Sequence, residues 1–532
     1  MLRINNIRLP IDHTIEDIKI EIAKKIHISP KNIGKIRIAK KSIDARKKNK
    51  MIYFIYSIDF SVENEKKLLN SSKDIIYTPE KEYEIPESGD KPILTRPIII
   101  GTGPAGLFAG LILAEAGFEP IILERGKKVD ERKKDVDYFW NTGKLNPESN
   151  VQFGEGGAGT FSDGKLNTQI KDRFHRIQKM LKEFVEAGAP EEILYTNKPH
   201  IGTDKLEIAV KNIRKKIEKL GGSFYFNSKV TDFIIKNGKI KGIVINNNEK
   251  MLADIVILAI GHSARDTFEV LLNRGVKILP KPFSIGVRIE HLKETIDKSQ
   301  YGKFYNHPKL KAADYKLSYR AKNKRAVYTF CMCPGGYVVG SASEECMVVT
   351  NGMSKFARDN INSNSAILIS VSPADFPSNH PLAGVDFQRI YEKKAFEITN
   401  SYYAPVQLFG DFIKSRKSTS FGKVLPTYKP GTIFYDLNKI LPSYVSSALK
   451  EGILAMGKKL KGFSYYDSLL TGVETRSSSP IRIERNRHYE SVNTKGLFPI
   501  GEGAGYAGGI TSSAVDGIRI AEHIIKTYKK GW

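Results

Sequence analysis

The stretch Ile98-Ile99-Ile100-Gly101-Thr102-Gly103-Pro104-Ala105-Gly106 decides the fold class of this chain. It reads as a short apolar strand, a glycine-rich turn and the start of a helix. That helix is expected to end at Gly117, because glycine tolerates positive φ. A second apolar strand, Ile121-Ile122-Leu123-Glu124, completes a βαβ unit with an acidic residue at its end. This order of elements predicts a dinucleotide-binding α/β fold.

Each glycine of the G-x-G-x-x-G turn has its own expected role. Gly101 permits the tight turn, Gly103 lets backbone N–H groups approach a pyrophosphate, and Gly106 lets the helix lie close to the strand. The helix begins with Pro104 and Ala105, and its N-terminus offers unpaired N–H donors to phosphate. The turn therefore predicts a nucleotide cofactor.

Glu124 and Arg125 follow the second strand, where the ribose of a bound adenosine would lie. We expect Glu124 to accept hydrogen bonds from the ribose hydroxyls and to have no partner within the protein core. Arg125 is included among the expected cofactor contacts. This motif alone does not distinguish FAD from NAD(P).

The C-terminal segment favours FAD. Residues 496–503 read as a strand that ends in Gly501-Glu502-Gly503, and a glycine-rich stretch then leads into a helix. This pattern resembles the second flavin signature of the glutathione-reductase-like flavoproteins, which more often carry Asp where Glu502 stands. The resemblance implies that Glu502 holds the ribityl chain. It also implies that Gly509-Ile510-Thr511 places helix N–H donors near the pyrimidine side of the ring.

Two further elements resemble the same superfamily. The strand from Asp254 ends at Gly261, a small residue expected beside the cofactor, and Val230 begins a strand expected to contact adenine. A second strand–GxGxxG–helix unit is not found in the sequence, so a separate NAD(P)H domain is predicted to be absent. NAD(P)H remains a candidate transient electron donor.

Several longer strings are similar to a bacterial family usually called uncharacterised FAD-dependent dehydrogenases. They lie at residues 156–166, 199–204, 281–290, 331–336 and 472–477, and the likeness extends to Ser42-Ile43-Asp44-Ala45-Arg46 near the N-terminus. The resemblance implies the fold and FAD. It does not imply a particular substrate.

The predicted architecture is α/β. It consists of a three-layer, Rossmann-like FAD-binding domain, an inserted α+β substrate domain and a small N-terminal α+β domain. The expected segments are listed here in chain order: 1–70 for the N-terminal domain, 71–96 for a linker, 97–274 and 471–532 for the FAD-binding domain, and 275–470 for the insertion.

The glycine-rich loop of residues 154–166 follows the first βαβ unit. In related flavoproteins such a loop wraps the pyrophosphate and the ring edge, so we expect cofactor contacts from Gly159, Thr160, Phe161 and Ser162. A plain connecting loop is the alternative.

Three residues are candidates for chemistry. Glu474 and Arg476 precede the C-terminal flavin segment and could bind an anionic substrate or transfer a proton, although a surface ion pair is the alternative. His262 follows Gly261 and could contact FAD or substrate. His200 is expected to be structural, with Asp204 capping the helix that follows.

The cysteines allow three interpretations. Cys331 and Cys333 are two residues apart and could pack structurally, line the flavin pocket or form a redox pair, although a C-x-C disulfide is strained. Cys346 is the third cysteine, and too few ligands accompany these residues to predict a metal site. Three cysteines also argue against a disulfide framework and favour a reducing cytoplasmic location.

The formal net charge of +26 raises the question of nucleic-acid binding. The lysines are spread over most segments, whereas a nucleic-acid surface needs focused charge. RNA binding through the basic N-terminal domain is therefore kept as an alternative only.

No apolar run reaches the roughly 18 residues of a membrane-spanning helix, and residues 1–5 do not resemble a signal peptide.

The sequence thus predicts an FAD-dependent oxidoreductase that transfers hydride through N5 of a non-covalent flavin. The alternatives are a flavoenzyme acting on RNA, an alkene reductase of the geranylgeranyl-reductase kind with a long apolar pocket, and a non-enzymatic flavin sensor. The small-molecule substrate and the oligomeric state are not specified by these patterns.

Overall fold

The computed structural model describes residues 1–63, 65–69, 74–79 and 82–532 of the chain. Its α-helices are α1 (Ile15–Ile26), α2 (Glu65–Leu69), α3 (Pro104–Glu115), α4 (Val129–Thr142), α5 (Arg176–Glu186), α6 (Thr203–Lys219), α7 (Arg265–Asn273), α8 (Lys293–Tyr301), α9 (Ala383–Glu397), α10 (Phe409–Ile413), α11 (Ser443–Lys459) and α12 (Ile510–Thr527). Its β-strands are β1 (Leu2–Pro10), β2 (Ile36–Asp44), β3 (Tyr53–Phe60), β4 (Ile75–Tyr77), β5 (Lys91–Ile93), β6 (Ile98–Ile100), β7 (Ile121–Leu123), β8 (Ser223–Tyr225), β9 (Val230–Lys236), β10 (Lys239–Ile245), β11 (Glu249–Leu252), β12 (Val256–Leu258), β13 (Ile278–Pro280), β14 (Phe283–Leu292), β15 (Ser318–Arg320), β16 (Ala326–Cys333), β17 (Tyr337–Gly340), β18 (Thr350–Met353), β19 (Asn362–Val371), β20 (Ala404–Leu408), β21 (Thr432–Phe434), β22 (Leu469–Glu474), β23 (Ile481–Ile483), β24 (Leu497–Pro499) and β25 (Tyr528–Lys530).

A five-stranded parallel sheet of order β24-β12-β6-β7-β8 forms the middle layer of the predicted FAD-binding domain. Alternate side chains of its strands point to opposite faces. Ile99 and Ile257 pack in one apolar cluster with α3, α5, α6 and α12, whereas Ile98 and Leu258 pack in another with β9, β10 and α7. Three layers result, and the predicted Rossmann-like α/β class is confirmed.

The glycine-rich turn brings α3 directly against β6. Gly101 has φ +103°, which a residue with a side chain rarely adopts. A Cβ atom added to Gly106 would lie 2.0 Å from the Gly101 carbonyl oxygen, so only glycine allows this approach. The N-terminus of α3 is thereby held at the carboxyl end of the parallel sheet.

A seven-stranded sheet of order β15-β16-β19-β14-β22-β20-β21 forms the second large unit. Strands β14 and β19 pair antiparallel over ten residues, from Phe283–Val371 to Leu292–Asn362. Strand β22 crosses the expected boundary between residues 470 and 471, because its first two residues belong to the expected insertion. This sheet faces the carboxyl edge of the parallel sheet.

The N-terminal segment forms a four-stranded sheet of order β2-β3-β1-β4 with α1 packed against it. Thr14 caps α1 through a capping box with Asp17, as its sequence indicates. The expected linker carries two short strands, since β4 pairs with β1 and β5 pairs in parallel with β25. The expected boundary between residues 70 and 71 lies outside the described residues.

This N-terminal sheet shares one continuous apolar core with the seven-stranded sheet. Polar contacts also join the N-terminal sheet to the segment between α5 and α6: the Lys41 N–H donates to the Tyr195 carbonyl oxygen at 2.8 Å, and the Asn197 N–H donates to the Lys41 carbonyl oxygen at 2.9 Å. Several of its arginines lie in ion pairs, because Arg3 and Arg37 both contact the buried Asp59. Local pairing of this kind weakens the case for a nucleic-acid surface.

Across the described parts of the chain, none of the helices has both the length and the apolar character needed to cross a membrane.

Candidate functional site

A cavity lies between the carboxyl ends of β6, β12 and β24 and the face of the seven-stranded sheet. Ligands of open α/β sheets bind in this position, outside the carboxyl ends of the strands. Most of the predicted site residues line the cavity: Gly101, Gly103, Pro104, Ala105, Glu124, Arg125, Gly159, Ser162, Val230, Gly261, His262, Glu474, Arg476, Gly501, Glu502, Gly509 and Ile510. Segments far apart in the sequence therefore meet around one space.

Four predicted cofactor contacts lie behind the wall of this cavity instead. Gly106 packs against Gly101 at the start of α3. The Thr160 carbonyl oxygen accepts from the Thr203 hydroxyl at 2.7 Å, and Phe161 is buried against Trp140. The Thr511 hydroxyl donates to the Leu166 carbonyl oxygen at 2.9 Å. These residues hold the wall in place, so their effect on a cofactor would be indirect.

One end of the cavity is formed by Gly103 and the facing loop. A Cβ atom added to Gly103 would meet no protein atom closer than the Gly157 Cα, at 4.0 Å. The open space beside this backbone fits a pyrophosphate at the N-terminus of α3. Arg132, which the sequence did not single out, fixes the loop by donating to backbone carbonyls of residues 150–157 at 2.7–2.9 Å.

Glu124 differs from our expectation. It is buried, and its Oε1 accepts from the N–H groups of Gly126 and Gly154 at 2.9 and 3.0 Å. Its Oε2 accepts from the Thr102 N–H and hydroxyl at 3.1 and 2.5 Å. A carboxylate has about four acceptor positions, and all are occupied within the protein. The expectation that Glu124 has no core partner is wrong, because it ties the glycine-rich turn to the facing loop.

Arg125 lines the cavity next to Glu124, and several side chains hold its guanidinium. Its guanidinium donates to both carboxylate oxygens of Asp266 at 2.9 Å and to Glu148 at 2.7 Å, and it stacks over the Phe153 ring. Burial works to raise the pKa of Asp266, yet Arg125 and Lys229 hold that pKa well below its usual value. The rim of the cavity at Arg125 is therefore fixed and ionised.

Glu502, His262 and the N-terminus of α12 meet at the opposite end. His262 Nδ1 lies 3.6 Å from Glu502 Oε2, and His262 Nε2 is buried with no hydrogen-bond partner among the described residues. Gly509 and Ile510 begin α12 beside them. An unpartnered ring nitrogen and a helix N-terminus are suited to polar atoms of a flavin ring. The residues present therefore fit the ring half of FAD.

Glu474 is buried rather than part of a surface ion pair with Arg476. The Arg288 guanidinium donates to both carboxylate oxygens of Glu474 at 2.7 and 2.9 Å, and to Asn351 and Asn364. Burial raises the pKa of Glu474, and Arg288 opposes that rise. The surface alternative is wrong because β22 is buried within the sheet.

Arg476 pairs with another buried carboxylate. Its guanidinium donates to Glu392 of α9 at 2.8 and 3.1 Å, and Arg265 of α7 donates to the same carboxylate at 2.7 and 3.0 Å. Burial works to raise the pKa of Glu392, but the two arginines hold it well below its usual value. This arginine–glutamate–arginine cluster joins the parallel sheet domain to the seven-stranded sheet.

Lys165 and Cys331 also line the cavity. The sequence leaves three interpretations open for Cys331 and does not single out Lys165. Lys165 Nζ lies 2.8 Å from Asp163 Oδ2 and also donates to the Met332 carbonyl oxygen. Asp163 is held in turn by Arg358 at 2.5 and 2.9 Å. The string Ser162-Asp163-Gly164-Lys165 was the available signal, because it lies in the glycine-rich loop.

His200 has structural contacts, and Asp204 does not cap its helix. The His200 ring stacks on Phe356, and its Nε2 lies 3.1 Å from the Phe356 carbonyl oxygen. Asp204 Oδ1 instead accepts from the Phe356 N–H at 2.8 Å, and Gly202 occupies the N-cap position. The two side chains therefore attach the loop around residue 356 to the start of α6. Among the described residues no group of His, Cys, Asp and Glu could hold a metal ion.

Glu502→Ala is expected to weaken FAD binding about tenfold to hundredfold, since losing a charge-assisted hydrogen bond costs about 1.5–3 kcal/mol. Glu502→Asp should cost less, because it only shortens the side chain. Unfolding of the cofactor-free protein should change little, as Glu502 is partly exposed. Dissociation constants from fluorescence titration check this, and an unchanged constant for Glu502→Ala would contradict the placement of Glu502 at the flavin.

Comparison with known proteins identifies FAD-dependent relatives. A family described as "FAD-dependent protein, C-terminal domain-like" matches residues 282–477, and one described as a domain of unknown function matches residues 1–61. An uncharacterized protein of Clostridium beijerinckii is 52% identical over 531 residues, which cover 99% of each chain.

Two solved structures are similar to this chain at low TM-scores. CtdE in complex with FAD is 14% identical, with a TM-score of 0.32 over 81% of this chain and 84% of that one. A geranylgeranyl bacteriochlorophyll reductase-like protein of Thermoplasma acidophilum is 12% identical, with a TM-score of 0.34 over 80% and 76%. The full-length relative and the family match over the seven-stranded sheet show that the chain belongs to a family of bacterial FAD-dependent proteins, and that FAD is its cofactor.

Proposed function

We propose that this protein is an oxidoreductase that transfers hydride between a small-molecule substrate and the flavin of a non-covalently bound FAD. The observation that carries the proposal is the buried Arg288–Glu474 pair at the cavity wall. Buried ionised groups are costly unless they are paired, so their presence beside a cofactor cavity favours a chemical role. Bound FAD supplies two-electron chemistry at N5 of its ring.

Glu474 is the proposed acid–base residue. Burial raises its pKa against the effect of Arg288, which favours proton uptake by this carboxyl group. Arg288 orients both carboxylate oxygens, and the Thr350 hydroxyl donates to Oε2 at 3.3 Å. A substrate proton could therefore be exchanged with Glu474 at the same wall.

Four other parts of the site have proposed roles. Arg476, whose guanidinium is bound by Glu392, would hold the cavity wall in position, and His262 would offer its free ring nitrogen to cofactor or substrate. The N-terminus of α12 would stabilise negative charge at the ring end of the cavity. Glu502 would bind the ribityl chain. We retain the division into residues 97–274, 275–470 and 471–532 as part of this proposal.

The alternatives fit the site less well. The sheet-side lining includes Cys331, Ser341, Asn351, Glu474 and Arg476, and such polar groups are unsuited to the long apolar substrate of an alkene reductase. The paired arginines of the N-terminal sheet likewise disfavour an RNA-binding role. A polar small molecule is therefore the substrate class that we propose.

Anaerobic titration of the FAD-loaded protein with NADH and NADPH tests the proposal. We expect one nucleotide to bleach the oxidised-flavin absorbance while FAD stays bound, with dithionite as the positive control. If dithionite reduces the flavin but neither nucleotide does, NAD(P)H is not the donor. If the flavin leaves the protein whenever it is reduced, the oxidoreductase proposal is wrong.

A further inference from the structure

The strand β16 ends at Cys331-Met332-Cys333 with an irregular backbone on the cavity wall. Its pairing with β19 changes register between Phe330 and Cys333, so a bulge lies at this point. Cys331 has φ +41°, a left-handed conformation that is uncommon for a residue with a side chain. Outliers of this kind gather at functional sites, where the surrounding structure holds them in place.

The bulge brings the two cysteines together on this wall. The Cys333 thiol donates to the Cys331 carbonyl oxygen at 3.3 Å. Cys333 is buried, whereas Cys331 is partly exposed and lines the cavity. One thiol of the pair therefore faces the flavin site and the other lies behind it.

The charges around Cys331 favour its thiolate. The neighbouring Cys333 side chain lowers the pKa of Cys331 against the effect of burial, and Arg288 and Lys165 lower it further, while Asp163 opposes them. Glu474 is the other acidic group at this wall, and it is paired with Arg288. The Cys331 side chain and burial raise the pKa of Cys333, which favours keeping the proton of the pair on Cys333.

We propose that Cys331 and Cys333 form a redox pair that exchanges two electrons with FAD in the cavity. In the oxidising direction a bond forms between the two sulphur atoms and the Cys333 S–H bond breaks. The two electrons and that proton pass to oxidised FAD, which leaves anionic reduced flavin, so atoms and charge balance. This role goes beyond hydride transfer to an external substrate and depends only on FAD being bound.

The chemistry of the pair suits reversible exchange. A thiolate is the reactive form of cysteine, and Cys331 is the thiol that is exposed to the cavity. A disulfide between residues two apart is strained, and strained disulfides are easily reduced. Such a bond would be a poor structural crosslink and a suitable electron carrier.

Disulfide formation is tested on the full-length protein, with and without FAD. After mild oxidation with diamide and alkylation of the remaining thiols, intact mass and peptide mapping should show a Cys331–Cys333 crosslink and a loss of two hydrogens. Cys331→Ser and Cys333→Ser should each abolish it. Cys346→Ser is the matched control, since Cys346 is exposed and does not line the cavity, and it should keep the crosslink.

Electron counting then tests the link to FAD. Reductive titration of the oxidised FAD-loaded protein should consume one more two-electron equivalent per chain than titration of Cys331→Ser, because the disulfide is a two-electron couple. The proposal is overturned if no crosslink forms, or if the crosslink forms but no extra equivalent is consumed. If a nicotinamide nucleotide still reduces the flavin in Cys331→Ser, the proposed hydride transfer stands even where the redox-pair proposal fails. Failure of the redox pair can therefore be distinguished from failure of the proposed function.

Discussion

Replacing Glu392 with glutamine is expected to destabilise the fold by about 3–5 kcal/mol, because breaking a buried charge cluster leaves its partners uncompensated. Glu392 is fully buried, and both Arg265 and Arg476 share its carboxylate. Glutamine has nearly the same shape, so the loss would come from charge rather than from packing. The cluster joins the two large units, and we therefore expect their junction to weaken first.

Urea unfolding of the cofactor-free protein measures this effect. Glu397→Gln is the matched control, since Glu397 lies on the same helix in an exposed pair with Lys393. Such surface pairs contribute about 0–1 kcal/mol. Equal unfolding midpoints for Glu392→Gln and Glu397→Gln would show that the buried cluster contributes nothing to stability.

The same cluster predicts a direction for the pH dependence of stability. The pKa of Glu392 in the folded protein lies well below its usual value of 4.5. A lowered folded-state pKa contributes stability that is complete above the unfolded-state pKa and is lost as the pH falls below it. The difference in unfolding free energy between the natural protein and Glu392→Gln should therefore shrink as the pH falls below about 4.5.

Gly103→Ala is expected to reduce FAD affinity a hundredfold or more, about 3 kcal/mol, while the protein still folds. The added methyl group would meet no protein atom closer than 4.0 Å, so the cofactor-free fold has room for it. It would nevertheless occupy the space beside the N-terminus of α3, where backbone N–H groups would donate to the pyrophosphate.

Gly106→Ala provides the contrast. Its methyl group would lie 2.0 Å from the Gly101 carbonyl oxygen, so this variant should lose folding stability as well as FAD. Thermal unfolding without cofactor and FAD dissociation constants separate the two effects. If Gly103→Ala bound FAD normally, the pyrophosphate would not lie against this turn.

Local patterns explain why the cofactor end of the cavity could be predicted from the sequence. The turn after β6 and the glycine-rich stretch before α12 depend on glycine and on apolar periodicity, which are visible in consecutive residues. The saturation of Glu124 was not predictable in this way, because Gly154 donates to it from a separate loop. A sequence motif identifies a functional residue, whereas the hydrogen-bond partners of that residue depend on which distant segments contact it in the fold.

The charged wall of the cavity shows the same limit more strongly. Glu474 and Arg476 could be selected from the sequence, but their partners Arg288 and Glu392 lie on β14 and α9. Both looked like ordinary charged residues within regular elements. The bulge at Cys331 was also hidden, since the spacing of the two cysteines alone predicts side chains on one face of a regular strand.

The packing of α12 on α3 has a consequence for biosynthesis. Strand β24 is the edge neighbour of β12, and α12 covers the helical face of the parallel sheet, yet both follow the other four strands of that sheet in the sequence. A nascent chain that stops short of residue 497 would display the isoleucine-rich strands β6 and β12 without their cover. Such surfaces attract chaperones and other nascent chains. FAD binding would thus have to wait until β24 and α12 have been synthesised.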